Sequence, residues 1–296
     1  MKHRQAGIAL ILVLWIVSLL AVIAGNFAYG MRSEAQITRN LVSIAQARAL
    51  ANAGVQRAWF ELAQPAGEAQ RWKPDGRVWA MTLADGQVQV IIQDESGKID
   101  INTASEALLK GLFLSVGLDD AQSVDLLDAL VDWRDADPVR RPHGAEESEY
   151  LAAGMTVMPT NAPFETIDEL RRVLGVSPEI FQRLVPSITV HSRQIGVNTA
   201  LAPRSVLLAI PGSSPELVDQ FLTMRAQAFA TGVTVPPFAP GAAFETGSVG
   251  GGAYSVRSVA TMRDTTVYMR EAVARIAQNP RRPVTVLAWG EGGNSY

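Results

Sequence analysis

The side chains best able to do chemistry crowd into one stretch, Asp125 to Tyr150. Asp132, Asp135 and Asp137 close a helical pattern, and Glu146, Glu147 and Glu149 follow across a loop holding Pro138 and Pro142. Two carboxylate groups facing each other over such a loop suit a hard cation. Calcium takes about six to eight oxygens in flexible geometry, so the predicted ligands are these six residues, for about one or two ions. The spacing is not that of an EF-hand, whose ligands follow a fixed pattern. The competing reading of the same residues is a solvated acidic loop. Trp133 is expected to anchor the loop in a core, and Asp125 and Asp128 to face solvent.

No catalytic set accompanies these carboxylates. His143 and His191 stand apart from any serine or acid in a triad pattern. There is no phosphate-binding glycine loop and no zinc-binding pair. Cysteine is absent, which excludes disulfides, Cys-ligated zinc and thiol catalysis. Asp135 with Glu146 or Glu149 would make an acid–base pair, but no nucleophile or buried pocket comes with it. An enzyme is not expected. Nor is a nucleic-acid binder, because a net charge of −3 over 296 residues provides no basic footprint.

The loop must be positioned by the elements around it. The chain begins with Lys2, His3 and Arg4, then runs uncharged from Ala6 to Met31, with Ser18 the one hydroxyl between Ile8 and Ala24. Such a run is long enough to cross a bilayer core of about 30 Å as a helix. The basic start belongs on the cytoplasmic side, leaving the bulk of the chain beyond the inner membrane. The helical pattern continues past residue 60 through Ile37, Leu41, Ile44, Val55, Trp59 and Leu62, with Gly54 its weak link and Pro65 and Gly67 its end. From Arg77 the period changes to two. Residues 78–83 and 87–92 flank Asp85-Gly86, a hairpin signal.

From Asn102 to about Arg225 the pattern is helical and repeats itself. Ile101-Asn102-Thr103-Ala104 recurs as Val197-Asn198-Thr199-Ala200, and Leu174-Gly175-Val176-Ser177-Pro178-Glu179 as Pro211-Gly212-Ser213-Ser214-Pro215-Glu216. In the second pair glycine ends one helix, serine caps the next and proline takes its first position. These units resemble helix-hairpin-helix or SAM-like modules. A DNA-binding hairpin would carry Gly-x-Gly, and none of the hairpins here does. A stretch rich in Pro and Gly, 233–252, then leads to three more strand patterns ending near Trp289.

The start of the chain, Arg4-Gln5-Ala6-Gly7-Ile8, resembles the class III signal of type IV pilins and type II secretion pseudopilins, cut after glycine. The resemblance implies prepilin peptidase cleavage between Gly7 and Ile8 and methylation of the new terminus. Leu12 then occupies the fifth mature position, where that family usually has glutamate. Trp133-Arg134-Asp135-Ala136-Asp137 with Gly144-Ala145-Glu146 resembles the Trp-x-Asp-x-Asp … Gly-Ala-Glu loop of the pseudopilin K family, which lacks that glutamate.

The fold this implies is α+β: a pilin-like long N-terminal helix on an antiparallel sheet, with a large all-α insertion. Its expected bounds are a leader at 1–7, a transmembrane helix at 8–29, a pilin-like domain at 30–101 and 253–296, an insert at 102–232 and a linker at 233–252. The implied function is a minor pseudopilin at the tip of the type II secretion pseudopilus, with calcium in its insert and the soluble part in the periplasm. Its implied partners are the minor pseudopilins I and J, then H and the major pseudopilin G, contacted in part through Ile37, Leu41, Ile44 and Val55. The alternatives are a membrane-anchored helix-hairpin-helix protein for DNA uptake and a minor pilin of a type IV pilus.

Overall fold

The computed structural model describes residues 6–64, 71–83, 86–246, 252–277, 281 and 283–292, with side chains from residue 9 onward. In chain order, α1 (Ala6–Ala63) leads to β1 (Asp75–Leu83), β2 (Gly86–Asp94) and the short β3 (Ile99–Asp100). Then come α2 (Glu106–Ser115), α3 (Asp120–Arg134), α4 (Glu147–Ala152), α5 (Pro178–Leu184), β4 (Ile188–Thr189), α6 (Arg204–Ala209) and α7 (Pro215–Thr231). The strands β5 (Ala253–Met262), β6 (Val267–Ile276) and β7 (Val284–Glu291) complete the fold.

The helix α1 is unbroken over 58 residues. From residue 9 to residue 42 every side chain is exposed, and this part is long and apolar enough to cross a membrane. Beyond it one face turns inward, at Ser43, Ala47, Ala51, Val55, Ala58 with its neighbour Trp59, and Leu62, successive turns three or four apart. The small residues let the helix axis come close to the sheet. Gly54 is the tightest point, where a Cβ would overlap Ser258 Oγ and stand 2.9 Å from Val88 Cγ1. Ser43 Oγ donates to Asp264 Oδ2 at 2.6 Å, tying the helix to the β5–β6 turn.

The sheet is antiparallel, in the order β1-β2-β5-β6-β7. Val88, Val90 and Ile92 alternate inward on β2, and Val256, Ala260, Ala272 and Ala274 join them against α1. The predicted hairpin closes with Leu83 opposite Gly86; Asp85 lies outside the described residues, as do Pro65 and Gly67.

The described residues between β2 and β5 build a second core. It gathers Leu108, Leu112, Leu130, Trp133, Tyr150, Phe181, Leu207 and Phe221 from the helices α2 to α7. The repeat units have the predicted conformations. Ser177 and Ser214 cap α5 and α7 with proline in the first turn, and Gly175 and Gly212 have φ of 91° and 84°. The insert is larger than 102–232 at both ends. Ile99 and Ile101 are buried in its core, and β3 pairs in parallel with β4. Most of the stretch expected as a linker packs too: Phe238 is 3% exposed with its ring 4.9 Å from Phe221, and Thr246 N donates to Val197 O. Apolar Val235, Phe238 and Phe244 among the prolines supply the burial that holds it. Residues 247–251 lie outside the described residues.

Both connections of the insert leave from the same end of the sheet, since Asp94 and Tyr254 are register partners. Lys98 bridges this junction, pairing with the buried Glu95 at 2.8 Å and reaching Ser255. The last turns of α1 stand at this end, because Arg71, just before β1, donates to the carbonyls of Glu61 and Leu62. The opposite end of the sheet meets α1 near Ser43, toward the apolar span. The insert therefore sits at the end of the molecule away from that span.

Candidate functional site

The acidic loop is built on α3. A capping box of Asp119 and Gln122 starts the helix, and its inner face buries Leu126, Leu130 and Trp133. Trp133 is fully buried, as predicted, stacked 6.1 Å from Phe164 and 5.8 Å from Tyr150. Tyr150 accepts from Leu174 N through its hydroxyl, and burial pushes its pKa up to about 12. These rings hold the end of α3 and the start of α4 against each other, so the loop between them has two fixed posts.

Two carboxylates of α3 then secure the loop backbone. Asp132 is completely buried and accepts from Arg141 N at 3.2 Å. Asp128 accepts from His143 N at 3.1 Å and pairs with Arg141 Nε at 3.4 Å. Asp128 thus does not face solvent as expected; with Arg141 above it, burial is compensated by charge and hydrogen bonds. Asp125 does stay exposed, 3.1 Å from His143 Nδ1. Gly144 passes so close to Asp132 that a Cβ would overlap its Oδ2. Sequence reasoning missed Asp128, Arg141 and Glu106, which receives Arg141 Nη2 at 2.9 Å, because that contact spans 35 positions.

The six predicted ligands divide. Asp132, Asp135 and Glu146 have carboxyl groups held above the usual range, in each case by burial first. Neighbouring carboxylates add to this: Asp135 and Asp128 act on Asp132, Asp137 on Asp135, and Asp132, Asp135, Asp137 and Glu149 on Glu146. Asp135 Oδ1 and Glu146 Oε1 are buried without a hydrogen-bond partner among the described residues. Asp137 caps the loop, accepting from Val139 N at 3.0 Å. Glu149 is engaged elsewhere: it accepts from Glu146 N and Ser148 Oγ, which lower its pKa, and pairs with Arg140 at 3.1 Å. Glu147 is exposed in the first turn of α4. Among the described residues no three acidic or histidine side chains already form a metal cage.

The partner-facing positions divide as well. Ile37, Leu41 and Ile44 are 56%, 62% and 47% exposed, whereas Val55 is fully buried against the sheet. Val55 therefore cannot face a partner; it lies further along the same helix, where the sheet covers that face. The helical hairpins turn at Gly117, Gly175 and Gly212, and Arg183 beside the first donates to Val116 O at 3.0 Å.

Comparison with known proteins agrees with this architecture. Residues 82–193, which span the second half of the hairpin, the acidic loop and most of the insert, match the family model described as type II secretion system (T2SS), protein K. The chain is similar to type II secretion system protein K of Klebsiella pneumoniae, 28% identical over 232 residues, which cover 71% of each chain. It is similar also to the protein K of Pseudomonas aeruginosa, 28% identical over 246 residues, covering 74% of this chain and 73% of that one. These similarities are to the type II secretion system protein K family. Its fold resembles a chain of the crystal structure of the GspK-GspI-GspJ complex from enterotoxigenic Escherichia coli, with a TM-score of 0.59 at 20% identity, over 87% of this chain and 99% of that one. The long helix, sheet and helical insertion described above are the pilin-like fold with an added domain.

Proposed function

We propose that this chain caps the tip of the type II secretion pseudopilus and, with other minor pseudopilins, supports protein export across the outer membrane. The observation that carries the proposal is the position of the insert. Both of its connections leave the sheet at the end remote from the apolar span, so the helical domain sits where a subunit stacked above would have to go. A pilin-type subunit added at the base is not obstructed. Leu12 points the same way, since an aliphatic residue at the fifth mature position makes no ion pair with a neighbour's terminal amine. The partners are the I-type and J-type minor pseudopilins, followed by the H-type and the major G-type. The exposed Ile37, Leu41 and Ile44 supply part of the contact. The role is structural, with the anchor in the inner membrane and the folded part in the periplasm.

The acidic loop binds calcium in this reading. A cation would satisfy the unpartnered Asp135 Oδ1 and Glu146 Oε1 and relieve the repulsion among Asp132, Asp135, Asp137 and Glu146. Glu147 and Glu149 are secondary, the one exposed and the other engaged. When bound, the ion supplies charge neutralisation that locks the loop on α3 and α4; it does no chemistry. Prepilin peptidase cleaves after Gly7, leaving Ile8 as the methylated terminus.

Two measurements test the proposal. Co-expression with I-type and J-type pseudopilins, followed by mass determination in solution, is expected to give a complex with one copy of each that does not grow. Regular homopolymers of this chain would overturn the cap. Mass spectrometry of the membrane-extracted protein is expected to find a chain starting at Ile8, and an intact leader would remove it from the processed pseudopilins.

A further inference from the structure

A domain held only by its chain connections can turn on them, and relative motion is the ordinary expectation unless the interface prevents it. Here three neighbouring strands of the sheet, β2, β5 and β6, each take hold of the insert. From β2, Gln93 Nε2 donates to Leu201 O at 2.9 Å. From β5, the Ser255 hydroxyl donates to the Glu95 carboxylate, which the Thr189 hydroxyl of β4 meets from the side of the insert. From β6, Arg275 Nη2 donates to His191 O at 3.5 Å. Three adjacent strands span about 10 Å, at roughly 4.8 Å from each to the next, which is too wide for a single pivot.

Glu95 stands at the centre of this contact. It is 2% exposed, with the Lys98 ammonium 2.8 Å away. Burial works to raise its pKa, but Lys98 and the two hydroxyls outweigh burial and hold the carboxyl below its ordinary range. Breaking such a buried pair is costly, because removing one member strands the charge of the other. Beside the pair the two backbones close on each other. Asn198 N donates to Ser96 O at 2.8 Å, and a Cβ on Gly97 would stand 2.6 Å from Leu201 O. That gap admits no side chain.

We infer that the insert is locked to the sheet as one rigid body, with Glu95 as the positioning residue that fixes its orientation. Where the chain caps a pseudopilus, the lock carries the position of the pilin-like unit to the tip without a hinge. It is a property of the single chain, so it can fail while the capping proposal stands, and the reverse.

The test uses the full chain in detergent, which has no cysteine of its own to compete for spin labels. One pair of labels spans the junction, at Val267→Cys on β6 and Leu217→Cys on α7, both exposed positions. A reference pair stays within the sheet, at Val267→Cys and the exposed Thr285→Cys on β7. Pulsed electron paramagnetic resonance is expected to give the junction pair a single distance peak as narrow as that of the reference pair. Glu95→Ala is expected to lose the single junction peak while the reference pair keeps its own. A broad or two-peaked junction distribution in the parent would overturn the lock, and so would a narrow junction peak in folded Glu95→Ala. Should that variant lose the reference peak as well, Gln93→Ala combined with Arg275→Ala leaves the buried ion pair in place and removes the two outer points. The junction peak is then expected to broaden, and an unchanged peak would overturn the lock equally.

Discussion

A buried carboxylate is tolerated when it is hydrogen-bonded, paired with a cation or protonated. Asp128 takes the second route, through Arg141. Asp132 takes the first in part, while Asp135 and Glu146 each keep an oxygen without a hydrogen-bond partner among the described residues. With folded-state pKa values raised above the unfolded ones, these three groups bind more protons folded than unfolded. Their ionisation costs stability as pH rises through the raised values, and acidification from neutral pH recovers it. A bound cation reverses the preference, because it favours the ionised forms. Asp135→Asn should therefore have opposite effects in two buffers. With chelator the variant should melt higher than the parent by about 1 kcal/mol, roughly 2–4 °C. With calcium at a hundredfold its dissociation constant the parent should gain about 2.7 kcal/mol and the variant much less. Equal calcium responses in the melting curves would reduce the six residues to a solvated loop.

The long helix and the sheet meet along a line of small residues, and Gly54 marks where they are closest. By propensity alone glycine in a helix interior is worse than alanine by about 1 kcal/mol, so Gly54→Ala would be a stabilising change in an isolated helix. In this fold the added methyl meets Ser258 and Val88. Overpacking of this kind costs roughly 1–3 kcal/mol, and the net effect should be destabilising. A thermal melt decides it, and a higher melting temperature would mean that the helix does not bear on the sheet at that point. Val55→Ala removes two buried methyl groups from the same seam and should also lower the melting temperature. Neither substitution changes the surface offered to partners.

At the scale of the whole molecule the chain divides its work between two cores, joined where β2 and β5 end together. The sheet and the inner face of α1 make one unit, and the insert adds a second at the remote end. The part of α1 before Ser43 belongs to neither core. Leu41→Glu there should leave the melting temperature nearly unchanged, within about 0.5 kcal/mol, since the side chain is 62% exposed. It should cost the assembly more, on the order of 2 kcal/mol if Leu41 is an anchor of the contact, and so reduce co-purification with I-type and J-type partners. Undiminished co-purification at low protein concentration would move the contact elsewhere.

Local patterns in the sequence determined the elements of this protein. A 58-residue helix, the hairpin around Gly86, the serine and proline starts of α5 and α7 and the anchoring role of Trp133 all follow from periodicity, capping and hydropathy over short distances. The motif in the acidic loop was legible for the same reason, because its residues lie close together in the chain. Tertiary structure decided what depended on distant partners. Asp128 turns inward because Arg141 meets it, and Arg141 is held there by Glu106 on another helix. Val55 is lost to partners because the sheet covers α1 at that height and not further toward the apolar span, a choice that an apolar helix cannot make alone. The stretch read as a linker folds because Phe238 finds Phe221, and polar, proline-rich surroundings conceal an anchor of that kind. The placement of the insert at the end remote from the apolar span rests on register, the pairing of Asp94 with Tyr254 160 positions further along the chain, and no local signal encodes it.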